Sequence, residues 1–168
     1  MLSAILLIFP VKAVINIQDN KVQKELKKQF KDETLKFEEI TVNNKINGKY
    51  YKLQSSVNKS VSYLYLGRVS TKRTAGSAQN QQESADFFDY YILYDAAKSV
   101  RKIKIINYQS SHGQMISSPG WLKKLEGYMA GKPLEVGKQV DAISGATISV
   151  NNLVFDVKQK TLILNQLD

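Results

Sequence analysis

The chain has 168 residues, 43% hydrophobic and 23% charged, which suits one domain with a real core and excludes a disordered or membrane-embedded chain. With 24 Lys and Arg against 15 Asp and Glu, its net charge is +9. It has no cysteine, so disulfides, thiolate metal sites, cysteine nucleophiles and a lipidated cysteine are excluded, and its one histidine, His112, excludes a His-rich metal centre.

Residues 1–9 are an apolar run, followed by Pro10 and the pattern Val11-Lys12-Ala13, which reads as a signal peptide over 1–13. The run is too short to span a bilayer, which takes roughly 20 apolar residues. No Lys or Arg precedes it. Either the true start lies upstream or the segment is a buried N-terminal piece, and export is the favoured expectation. The mature protein is then a single domain over 14–168.

Asn20 is expected to cap a helix reaching Phe30, with Gln23 in capping-box position and Val22, Leu26 and Phe30 on its buried stripe. Residues 35–42 and 50–54 read as strands flanking the turn dipeptide Asn47-Gly48, and 61–69 as a further strand. The stretch 74–85, TAGSAQNQQESA, has no large apolar residue and is either disordered or functional. Phe87–Tyr94 is almost continuously apolar, which predicts a central strand covered on both faces, with Val100–Tyr108 as its antiparallel partner. Ser118-Pro119 opens a short helix whose buried side is Trp121, Leu122, Leu125 and Tyr128, with Gly131 as its stop. Val150, Leu153, Val154, Val157 and Leu164 then mark an amphipathic helix running to about Leu164. The expected class is α+β, an antiparallel sheet with flanking helices.

Basic residues gather at Lys21, Lys24, Lys27, Lys28 and Lys31, and again at Arg101, Lys102 and Lys104. The ordinary reading is a solvated basic face. The sharper one is attraction to anionic lipid, envelope polymer or an acidic protein. No nucleic-acid-binding motif accompanies the charge, so nucleic acid is not the expected partner.

Before the last helix stands DAISGATIS, residues 141–149. A helix N-terminus presents unpaired N–H groups and partial positive charge, and so stabilises an anion without a lysine. Gly145 and Ala146 let a phosphate approach the backbone, and Ser144, Thr147 and Ser149 add hydroxyls. The simpler alternative is that Thr147 or Ser149 only caps the helix, as such residues often do.

Residues 137–149, GKQVDAISGATIS, resemble the signature of the bacterial FMN-binding domain family, which includes flavinylated subunits of sodium-pumping quinone reductases and Rnf-type complexes as well as small exported flavoproteins. FFDYYILYD at 87–95, NYQSSHGQ at 107–114 and GWLKKLEGY at 120–128 resemble the small exported members, so the likeness covers about residues 60 to 160. The resemblance implies that Thr147 is esterified to the phosphate of FMN by an FAD-dependent FMN transferase. It further implies that Asp141, Ser144, Gly145 and Ala146 form the recognition and phosphate-contacting positions. Relatives carry a Glu-Thr-x-Gly loop against the flavin, and Ser110, Ser111, His112 and Gly113 stand in its place. The serines and the backbone near Gly113 are then candidates to bond the ring or ribityl chain, and a histidine there can answer the flavin's charge. Ser149 is a second candidate acceptor; Trp121 and Tyr128 are candidate ring walls, with core packing as the commoner use of both.

The expectation is therefore a monomeric, exported (periplasmic or envelope-associated) electron-transfer flavoprotein with no substrate turnover of its own. It would take electrons from a membrane-bound donor and pass them to an extracytoplasmic acceptor. The alternatives are a flavin-bearing subunit of a membrane redox complex and a cofactor-free basic module for anionic polymers.

Overall fold

Val22, Leu26 and Phe30 recur every fourth position, and the helix they predict, α1, spans Asn20–Phe30 with all three buried. Its cap is Asp19 and not Asn20. The Asp19 carboxylate accepts from Lys21 N at 2.8 Å and Val22 N at 3.4 Å, a place where an anion also gains from the helix dipole. Gln23 closes no capping box; its side chain donates to Ile17 O at 2.6 Å. This computed structural model describes residues 15–31, 34–42, 46–57, 59–71 and 86–167. The expected signal peptide and the polar stretch 74–85 lie outside the described residues.

Five strands follow, β1 (Lys36–Ile40), β2 (Gly48–Gln54), β3 (Tyr63–Ser70), β4 (Phe87–Tyr94) and β5 (Val100–Tyr108), each antiparallel to the next in a simple meander. The expected antiparallel sheet with flanking helices is the observed architecture. Strand β1 is shorter than expected, and Gly48 starts a strand where a turn was expected. Gly48 faces Gly67 across the β2–β3 ladder, and a Cβ on either would lie 2.4 Å from the Tyr65 hydroxyl. The two glycines are there to make room for a buried tyrosine.

Strand β4 is buried on both faces, as its continuous apolar text requires, and β3 is buried on both faces from Leu64 to Ser70. On one face α1 covers Tyr51, Leu53, Leu64, Leu66, Tyr91 and Leu93. On the other, Tyr50, Tyr65, Phe88, Tyr90, Ile92 and Tyr94 meet the C-terminal helix and the segment that leads to it. That segment holds a 3-10 turn over Gln114–Ser117 and α2 (Pro119–Leu122), which tightens into a second 3-10 turn ending at Leu125. The chain reverses at Gly127 (φ 83°), earlier than the expected stop at Gly131. Trp121 and Tyr128 pack in this core.

The last helix, α3, spans Thr147–Gln166, so it begins inside the DAISGATIS motif. Its inner side carries polar groups that meet the tyrosines of the sheet. Tyr90 donates to Asp156 at 2.5 Å, Asp156 pairs with Lys160 at 3.1 Å, and Tyr50 donates to Lys160 O at 2.7 Å. The opposite face of the sheet holds a second buried pair, Arg68 on Asp89 at 2.7 and 3.1 Å, with Asn107 donating to the same carboxylate.

Candidate functional site

The motif reaches α3 as a ribbon that turns every third residue inward. Val140, Ala146 and Ser149 are buried and Ile143 packs half-buried on the core, whereas Asp141, Ala142, Ser144, Gly145 and Thr147 are exposed. Two contacts hold its start: Trp121 Nε1 donates to Asp141 O at 2.8 Å, and Lys124 pairs with the Asp141 carboxylate at 2.5 Å. At Ser144-Gly145 the chain turns, with Gly145 at φ 76° and open space where a Cβ would stand. That left-handed conformation favours glycine, and the missing side chain leaves the approach to the backbone clear.

Ala146 occupies the cap position of α3 and supplies no side-chain cap. The first hydrogen bond of the helix runs from Val150 N to Ala146 O at 2.9 Å, so the N–H groups of Thr147, Ile148 and Ser149 precede it. Neither Thr147 nor Ser149 caps the helix. Ser149 is 4% exposed and its Oγ lies 3.1 Å from the Tyr108 hydroxyl, while Thr147 points outward at the first helical position. Of the two candidate acceptors, only Thr147 is exposed.

Facing this helix end is the loop after β5. The Tyr108 hydroxyl donates to His112 O at 2.7 Å and meets Ser149, tying loop to helix. Burial raises the Tyr108 phenol above its ordinary pKa, Ser149 partly offsets this, and Asp86 adds to the rise. Phe88 stacks on the Tyr108 ring at 5.7 Å with the planes 3° apart. Gly113 (φ 83°) lets the loop close against the helix: a Cβ there would lie 2.8 Å from the Tyr108 hydroxyl and 3.0 Å from Ser149 Oγ. Within the loop, Ser111 Oγ lies 2.7 Å from His112 Nδ1.

Between loop and helix lies a cleft of about 480 Å³, lined by Thr71, Asp86, Ser110, Ser111, His112 and residues 145–149. Ligand sites commonly enclose about 300–1,000 Å³. The sequence reading named Ser110, Ser111, His112, Gly145, Ala146 and Thr147, and the fold brings these together. Gly113 supports the cleft from behind. Asp141 and Ser144 lie on the exposed ribbon ahead of it and do not line it. The sequence reading missed Thr71, Asp86 and Tyr108. Thr71 Oγ1 is buried and has no hydrogen-bond partner among the described residues, and Thr71 N bonds Asp86 O at 3.0 Å across the ends of β3 and β4.

These features fit a phosphate-bearing ligand. The open start of α3, Ser110, Ser111 and Thr71 border this space, and no Lys or Arg is among the described residues that line it. The anion would be held by backbone dipoles, as helix N-termini allow. No curated protein and no solved structure matches the chain. A family model does match, that of the FMN-binding domain, over residues 10–159. Motif, cleft and match agree, and the chain belongs to the FMN-binding domain family.

Proposed function

We propose that this protein carries FMN covalently, through a phosphoester to the Thr147 hydroxyl, and works as an exported electron carrier. The observation that carries the reading is the placement of Thr147: an exposed hydroxyl residue at the open start of α3, on the wall of the cleft. A threonine hydroxyl is a weak nucleophile, and among the described residues no general base is bonded to it, so attachment is the work of a separate FAD-dependent FMN transferase. The N–H groups of Thr147, Ile148 and Ser149 would hold the phosphate. Ser110, Ser111 and His112 would stand beside the rest of the cofactor, and Tyr108 would keep the two walls in register. Bound FMN would supply one- and two-electron redox chemistry, while the protein sets its position and surroundings. A permanent bond suits a protein outside the cytoplasm, where a lost cofactor is not replaced. Electrons would come from a membrane-linked donor and leave to an extracytoplasmic acceptor.

Co-expression with a flavin transferase, followed by intact-mass measurement after denaturation, tests the attachment. The wild type and Ser149→Ala are expected to gain the mass of an FMN group, and Thr147→Ala to gain none. Flavin retained on Thr147→Ala would overturn the assignment of the acceptor. Fractionation of the native host tests export, with mature protein starting near Val14 as the expected result.

A further inference from the structure

Every exposed position of the chain from Lys21 to Lys31 is a lysine: Lys21, Lys24, Lys27, Lys28 and Lys31. At 100° per residue they occupy about a third of the helix circumference, along a strip about 15 Å long. The one acid inside α1, Glu25, is turned away from this strip. It pairs with Lys104 of β5 at 2.6 Å and lies 3.5 Å from the Tyr91 hydroxyl. Lys102 of β5 reaches Gln29 at 2.5 Å, so Lys102 and Lys104 of the second basic cluster meet α1 on one side of the molecule. Asp19 is spent on the helix cap. The acids Asp32 and Glu33 lie outside the described residues.

We propose that this face docks on an anionic lipid surface. The strip is a row of ammonium groups without a guanidinium, an aromatic ring or a large aliphatic side chain. Protein interfaces draw their strength from buried aromatic and arginine anchors, and none is offered. Lipid headgroups are mobile and gather under point charges, so ammonium groups alone are enough. The face also has a direction. Lys21 Nζ lies 3.4 Å from Asn107 Oδ1, at the end of β5 that runs into the Ser110–His112 wall of the cleft. Docking through α1 therefore places the cleft end of the sheet beside the lipid. The inference stands on charge and placement, whatever the cleft holds.

Sedimentation of the full chain with vesicles tests it, using neutral phosphatidylcholine against vesicles in which about one lipid in three is anionic phosphatidylglycerol. Any contribution of apolar residues 1–9 is common to all variants and cancels in the comparison. The wild type is expected to favour the anionic vesicles and to be released by salt. Lys24→Gln/Lys28→Gln/Lys31→Gln should bind about a hundredfold more weakly. Lys123→Gln/Lys132→Gln/Lys138→Gln, with the same charge removed on the α3 side of the sheet, should bind as the wild type does. Circular dichroism checks that both triple variants keep their helices. No preference for anionic vesicles, or an equal loss in both variants, overturns the proposal. So does salt-sensitive binding to immobilised polyglutamate with no binding to vesicles, which would assign the face to an acidic protein.

Discussion

Thr147 and Ser149 are two residues apart and meet opposite fates, because a helix turns about 200° between them. Thr147 is exposed on the cleft wall, and the Ser149 hydroxyl is held against Tyr108. Tyr108 is thus the residue on which the cleft's shape depends. Tyr108→Phe keeps the ring stacked on Phe88 but leaves His112 O and Ser149 Oγ without their partner. The expected cost is about 1 kcal/mol in a denaturant titration, with a lower flavin-to-protein ratio after co-expression with the transferase. Normal stability and full loading would show that the hydroxyl positions nothing. The sequence could announce Thr147, since its motif is contiguous and local. It could not announce Tyr108, which reads as the last residue of a strand until β5 and α3 are seen side by side. Thr71 and Asp86 were nearer to hand: they border a polar insertion between two apolar strands, and antiparallel pairing must bring such borders together.

At the scale of elements, α3 is amphipathic in an unusual way. Its inner face includes Asp156, Lys160 and Thr161 among the aliphatic residues, matched to the hydroxyls of Tyr90, Tyr50 and Tyr94. The stripe from Val150 to Leu164 gave the helix its place in the sequence, but an i, i+4 Asp–Lys pair reads equally well as a solvent-facing bridge. Only the sheet's tyrosines show that it is buried. Asp156→Ala would leave Lys160 as a buried, unpaired ammonium, at an expected cost of about 3–5 kcal/mol in unfolding free energy. Asp156→Ala/Lys160→Met should recover much of that loss, because it removes both charges and restores apolar volume. A double variant no more stable than the single one would mean that the pair contributes through something other than charge compensation. Boundary errors have the same origin. Asn47-Gly48 has the composition of a turn, yet Gly48 is set by a tyrosine on the next strand, a contact no local pattern encodes.

For the molecule as a whole, the tyrosine-rich inner face makes stability depend on alkaline pH. Burial raises the phenols of Tyr50, Tyr65, Tyr90 and Tyr94 above their ordinary value of 10.0. Between that value and the folded-state pKa, the unfolded chain has released protons that the folded chain keeps, so stability falls as pH rises. Below it the contribution is fully present. Thermal melts should therefore show a steep drop in Tm above about pH 10, with these tyrosines ionising only on unfolding. Phenolate absorption from all the tyrosines in the folded protein at such pH would contradict the packing described. The global architecture was the most legible level, because strand order follows chain order and every connection is local. A meander asks nothing of long-range topology that periodicity fails to supply.

The backbone bond between Thr71 and Asp86 joins the ends of β3 and β4. Chain inserted between two residues so joined costs little, about 0.6 kcal/mol for each doubling of its length. Natural variation can thus lengthen, shorten or rewrite that stretch while the scaffold stays as it is. Its two roots line the cleft, so an insertion or deletion between them would redraw the border of the site and leave the pairing of the sheet intact.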